Sequence, residues 1–186
     1  MQSIQTVSEN TIYVGASDRR LAKFENLFPI PRGVSYNAYV ILDEKTALLD
    51  TADASVGAQF LENVAAALDG RKLDYLIVDH MEPDHAAMIE AVLVRWPDLR
   101  LVVNAKTLPM LKMYFPTDSA AIDDALVVKE GDTLDLGKHK LTFVMAPMVH
   151  WPEVMMTFDT TTGTLFSADA FGTFGALEGA LFADEV

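Results

Sequence analysis

The chain has 186 residues, 51% of them hydrophobic, and a formal net charge of −13 at pH 7, which suits one domain with a sizeable core and excludes disorder. Acidity on this scale excludes a nucleic-acid surface, which needs clustered Lys and Arg, and serves solubility or attraction to a basic redox partner. Cysteine is absent, which removes disulfides, thiolate ligands and iron–sulfur clusters, and no apolar run reaches the roughly 18 residues of a membrane span.

The opening Met1-Gln2-Ser3-Ile4-Gln5 lacks a basic-then-apolar signal, so a cytoplasmic address is expected. Thr11 to Val14 reads as a strand, and the following segment, with Pro29, Pro31 and Gly33, as a loop. Tyr36 to Leu42 and Thr46 to Leu49 are apolar runs joined by Asp43-Glu44-Lys45, a hairpin signature. Asp53 or Ser55 then caps a helix in which Phe60, Leu61, Val64 and Leu68 recur at helical spacing, with Gly70 at its end. Leu73 to Val78 is the next strand, Ala86 to Arg95 a helix stopped before Pro97, and Leu99 to Val103 a strand, a β-α-β alternation. A helix over Lys106 to Tyr114 follows, with Met110, Leu111 and Met113 as core filling. Ala125 to Val128, Thr133 to Leu136, Lys140 to Met145, Val154 to Phe158 and Thr164 to Ser167 are closely spaced strands. There are no internal repeats, low-complexity tracts or linkers.

The densest chemistry lies at the end of the Leu73 to Val78 strand, in Asp79-His80-Met81-Glu82-Pro83-Asp84-His85. Pro83 pushes Glu82 toward extended geometry, so His80 and Glu82 should share one side at the period of a strand, and Asp84 should continue the alternation. His85 should open the next helix and turn its ring toward a second position. A helical HExxH zinc pattern is excluded, because the proline forbids the turn it needs. Ligands this closely spaced suit two metal ions. His150, in the segment Met148-Val149-His150-Trp151-Pro152, and Asp169, before Ala170-Phe171-Gly172, stand at later strand ends and join the candidate set. His139, flanked by Lys138 and Lys140, is assigned to solvent.

The order His-x-Glu-x-Asp-His, then a His in an HWP segment, then an Asp in a DAFG segment, resembles the diiron domain of the flavodiiron proteins in the metallo-β-lactamase superfamily. Tyr36-Asn37-Ala38-Tyr39, Leu49-Asp50-Thr51 and the terminal Phe182-Ala183-Asp184-Glu185-Val186 support the resemblance. It implies an α/β fold, an αβ/βα sandwich of two mixed sheets flanked by helices, with the metals at strand ends along one edge. It assigns His80, Glu82 and His150 to one iron, Asp84 and His85 to the other, and Asp169 as a bridge. It further implies reduction of dioxygen to water or nitric oxide to nitrous oxide, a flavodoxin domain carrying FMN, a head-to-tail homodimer, and a flavodoxin-like or rubredoxin-like electron donor. Against that pattern residues 1–186 read as the diiron domain alone, short of the family's last histidine to the second iron and of the flavodoxin domain.

Hydrolytic relatives carry a histidine where this chain has Glu82 and bind zinc. Glu82, Asp84, Asp169 and a bridging hydroxide would balance two divalent ions, a donor set that suits iron or manganese, while affinity alone favours zinc. Two further functional readings are a non-catalytic oxygen-binding or sensing module and a metal-dependent hydrolase.

Overall fold

The computed structural model describes residues 3–116, 120–182 and 184. The chain opens with β1 (Gln5–Ser8) and β2 (Thr11–Tyr13), then β3 (Ala16–Asp18), β4 (Lys23–Phe24), β5 (Phe28–Pro29) and β6 (Val34–Tyr36); β3 pairs with β6 and β4 with β5. The hairpin β7 (Tyr39–Leu42) and β8 (Thr46–Leu49) leads into α1 (Gly57–Leu68) and β9 (Tyr75–Ile77). Next come α2 (Pro83–Ala86), α3 (Ile89–Arg95), β10 (Arg100–Asn104), α4 (Thr107–Tyr114), α5 (Ala120–Asp123) and β11 (Leu126–Val128). The last strands are β12 (Thr133–Asp135), β13 (Lys140–Met145), β14 (Met155–Asp159) and β15 (Thr164–Phe166).

Two sheets result. The larger runs β1-β2-β7-β8-β9-β10-β11, antiparallel up to β8 and parallel from β8 to β11; the smaller runs β12-β13-β14-β15 and is antiparallel throughout. Strand alternation sends Val40, Leu48, Leu76, Leu101 and Val103 to the helix-covered face, where they meet Phe60, Val64 and Leu68 of α1, Ile89 and Val92 of α3, and Leu111 of α4. The intervening Ile41, Ala47, Leu49, Ile77 and Val102 face the smaller sheet and pack on Leu134, Leu141, Phe143, Met155 and Phe166. β8 is therefore buried at every residue, the pattern of a strand covered on both faces. The expected two-sheet sandwich with helices is the observed fold, with one correction: only the larger sheet is mixed, because the strands of the smaller follow one another through turns and pair antiparallel throughout.

Local readings differ in several places. Tyr36 to Leu42 is two strands, because Tyr36 pairs with Ala16 while Tyr39 pairs with Tyr13 and Leu49. The stretch before Gly33 contains short ribbons, whose few residues carry too little periodicity to announce themselves. Asp53, not Ser55, caps the short 3-10 turn Ala54–Val56 that leads into α1, its side chain accepting from Ser55 N, while α1 itself starts without a side-chain cap; at the far end Asp69 as well as Gly70 takes left-handed backbone. The helix after the ligand cluster opens at Pro83 and is broken between Ala86 and Ile89. Met113 lies on an exposed surface at 76% accessibility rather than in the core, while Leu111 is fully buried. Of the closing Phe182 to Val186 segment, Ala183, Glu185 and Val186 lie outside the described residues.

Candidate metal centre

Three chain segments deliver the donors to one edge of the sandwich. The first follows β9. Glu82 is extended (φ −61°, ψ 146°), as the residue before a proline should be, and Pro83 occupies the first helical position, where its missing N–H costs nothing. Asp84 and His85 are thus helical, and the alternation expected to reach Asp84 stops at Glu82. The second segment is the turn after β13: Ala146 N bonds Val154 O at 3.0 Å and Met148 N bonds Trp151 O at 2.8 Å, which projects His150. The third follows β15, where Ala168 adopts left-handed backbone (φ 48°) and Gly172 N bonds Asp169 O at 3.1 Å.

The donors converge. His80, Glu82, His150 and Asp169 each bring a ligand atom into one group, and Asp84, His85 and Asp169 into another, with the atoms of each group within 4.8 Å of one another. Glu82 Oε2 lies 3.1 Å from His80 Nε2 and 2.7 Å from His150 Nε2. Asp169 Oδ1 lies 2.8 Å from His85 Nε2, and its Oδ2 lies 3.0 Å from His150 Nε2 and 3.3 Å from His80 Nε2. All three rings therefore present Nε2 to the carboxylates, and Asp169 serves both groups through different oxygens. His80, Glu82 and His85 are buried, whereas the His150 side chain is 53% exposed.

The other nitrogens of two rings are held from behind. His80 Nδ1 lies 2.8 Å from Glu153 Oε1, and His85 Nδ1 lies 2.9 Å from Asp50 Oδ2. Asp50, in left-handed backbone (φ 55°), also accepts Asp79 N at 2.7 Å through Oδ1. Asp79 in turn receives the Thr157 hydroxyl at 2.8 Å, and its carboxyl is pushed well above the usual range by burial and by Asp50.

The bare cluster asks for positive charge. Burial would lower His80, but Asp169, Glu153 and Glu82 outweigh it and push the ring up to about 11. His85 is likewise raised, against burial, by Asp169 and Asp50. Asp169 is held far below the ordinary carboxylate range, its burial overcome by His80 and His85. Asp84 shows the opposite: burial, then Asp169 and Glu82, push it up to about 6, and its Oδ1 is buried with no hydrogen-bond partner. Protons on imidazole thus offset only part of the carboxylate charge, and one buried oxygen still lacks a partner. Divalent cations meet both needs, so the residues present fit a pair of metal ions.

Several participants were not anticipated from the sequence. Asp50 and Glu153 sit behind the rings; Asp50 enters the sequence reading only within the supporting segment Leu49-Asp50-Thr51, without a role, and only a position near a strand end could have flagged Glu153. Trp151 stands edge-on to His80, with ring centroids 5.4 Å apart. Glu25, at the tip of the β4–β5 ribbon, is raised by desolvation and then by the neighbouring Glu82, which places another carboxylate near the pocket. The assignment of His139 to solvent is corrected: it is 1% exposed, and its Nδ1 lies 2.8 Å from Asp159 Oδ2. The flanking lysines project outward while the ring turns in beneath the β14–β15 turn.

Fold and site together define a metallo-β-lactamase-like domain whose edge gathers a histidine–carboxylate pocket in two groups. The family model of the ODP beta lactamases matches residues 34–186, and the chain belongs to that family. It is 37% identical over 182 residues to an anaerobic nitric oxide reductase flavorubredoxin of Klebsiella pneumoniae, covering 97% of this chain and 37% of that protein. Among solved structures, the rubredoxin oxygen:oxidoreductase of Desulfovibrio gigas superposes with a TM-score of 0.92 at 31% identity, over 99% of this chain and 45% of that one. The flavodiiron protein of Giardia intestinalis gives 0.90 at 27%, over 100% and 44%. The chain thus spans less than half the length of these relatives. No helix among the described residues is long and apolar enough to cross a membrane.

Proposed function

We propose that the pocket holds two iron ions and reduces dioxygen or nitric oxide with electrons from an FMN-bearing flavodoxin-type domain or partner. The observation that carries this reading is the convergence of three imidazole Nε2 atoms and three carboxylates, with Asp169 shared between the groups. His80, Glu82 and His150 would hold one ion, Asp84 and His85 the other, and Asp169 both. Bound iron would supply the redox chemistry and open positions for a diatomic molecule. The chain's own residues do the rest. Asp50 and Glu153 orient two rings, Trp151 stands edge-on against His80, and exposed Met148, Val149 and Phe171, close in sequence to His150 and Asp169, would offer apolar surface suited to a neutral diatomic. The relatives' names include both a nitric oxide reductase and an oxygen oxidoreductase, so both gases are substrates to test. A cytoplasmic address and a homodimer complete the reading.

The test is anaerobic iron loading, metal counting, and gas consumption with and without a flavodoxin-like or rubredoxin-like donor. Two irons per chain and turnover sustained only with the donor are expected. Binding without turnover would favour an oxygen-binding module. Phosphodiester or thioester hydrolysis by zinc-loaded protein, with no gas consumed, would overturn the proposal, as would Asp169→Ala that keeps metal at both positions.

A further inference from the structure

Glu153 is the fully enclosed acid behind the pocket, its side chain 0% exposed. Through Oε1 it meets His80 Nδ1 at 2.8 Å and accepts Met81 N at 3.1 Å, while Oε2 is buried without a hydrogen-bond partner. Its main-chain oxygen accepts Asn104 Nδ2 at 2.5 Å, and the preceding Pro152 oxygen accepts Lys106 Nζ at 3.0 Å. Asn104 Oδ1 meanwhile takes the N–H groups of Lys106 and Thr107 at 2.8 and 3.1 Å, at the start of α4. The segment that carries His150 is therefore pinned at its far end to the β10–α4 junction, and from that pin Glu153 reaches under His80.

An imidazole that binds a cation through Nε2 must keep its proton on Nδ1. A carboxylate is the side chain that enforces this, because it accepts and cannot donate. An amide can turn its NH2 toward the ring and reverse the tautomer. We infer that Glu153 is a positioning residue of the metal centre: it fixes the Nδ1–H tautomer of His80 and couples that ring to the loop bearing His150. The inference rests on the two-metal reading of the pocket. The molecule contains its own control: His139 and Asp159 make a second buried pair at the same 2.8 Å, but at the opposite end of β13 and β14, where His139 Nε2 has no hydrogen-bond partner.

The experiment uses Co(II) on the full chain, with affinity read by competition with a chromophoric chelator, geometry by the ligand-field bands, and folding by melting of the metal-free protein. Glu153→Gln should weaken the first-filled position about 10- to 100-fold and shift its bands, whereas Asp159→Asn should lower the melting temperature and leave affinity within about twofold. Wild-type affinity and bands in folded Glu153→Gln would overturn the inference while leaving the two-metal reading intact; no Co(II) binding by the wild type would overturn both. Should Glu153→Gln not fold, nitrogen NMR of Zn-loaded wild type decides. His80 protonated at Nδ1 and metal-bound at Nε2 supports the inference, and the reverse overturns it.

Discussion

Asp84 separates what the fold wants from what the site wants. Its carboxyl is pushed up to about 6 by burial foremost, with Asp169 and Glu82 adding to it. A folded-state value above the ordinary 3.8 means the metal-free chain loses stability as pH rises from 3.8 through about 6 and recovers none beyond. Asp84→Asn should therefore make the metal-free protein more stable at pH 7 by about 1–3 kcal/mol, with the gap closing near pH 4. On the two-metal reading, metal should reverse the order, because the variant would lack a donor to the second position. Melting curves of both proteins at the two pH values, with and without metal, check this; a variant less stable at pH 7 without metal would refute the account. Asp18 runs the other way. Hydrogen bonds from Arg20 hold it at about 2, so its contribution is present above 3.8 and lost as pH falls through about 2. Because the Arg20 side chain is 74% exposed, Asp18→Asn should cost no more than about 1–2 kcal/mol at pH 7, and acid titration of stability should show the difference vanishing toward pH 2.

At the scale of elements, backbone proximity matters as much as side-chain chemistry. β2 and β3 meet at Gly15, where a Cβ would strike the Tyr36 carbonyl and come within 2.7 Å of the Tyr13 hydroxyl. Both obstacles are enclosed, so Gly15→Ala should destabilise by about 1–3 kcal/mol, measurable by denaturant unfolding. Phe143, fully buried between the sheets, should cost about 3–5 kcal/mol as Phe143→Ala, with the slope of the unfolding curve unchanged. These elements differ in how plainly the sequence declares them. The segment from Tyr75 to His85 was legible because an apolar strand, a proline and four donor residues occupy adjacent positions, each restricting the others. His139 was not, since its partner Asp159 is distant in sequence and meets it only after β13 and β14 pair. Glu153 and Asp50 were missed for the same reason: a residue that acts on the back of a histidine shows no spacing relative to it. The break between α2 and α3 also escaped, because Thr51 draws the His85 carbonyl out of the helix with its N–H at 2.8 Å and its hydroxyl at 2.6 Å.

For the molecule as a whole, the net charge of −13 and the acids gathered at one edge make cation binding a matter of stability as well as chemistry. Metal that binds only the folded chain stabilises it by about 2.7 kcal/mol at a hundred times its dissociation constant. Melting temperature should therefore climb with metal concentration and return on chelation; a melting temperature indifferent to iron, cobalt and zinc would contradict this. The donors also come from both sheets: His80 and its neighbours follow β9 of the larger, while His150 and Asp169 follow β13 and β15 of the smaller. The gap between those sheets is filled mainly by side chains such as Leu49, Ile77, Phe143 and Met155, and hydrogen bonds cross it at separate points, such as Met155 N to Asp79 O at 3.0 Å and the Thr157 hydroxyl to Asp79 at 2.8 Å, rather than in a ladder, so its width answers to temperature and pressure more readily than any strand spacing does. Compressing the protein should draw the two halves of the pocket together, and warming should part them before any strand is lost. A metal bound there would then be a gauge of sheet separation, its spectrum drifting with pressure while the circular dichroism of the backbone stays still.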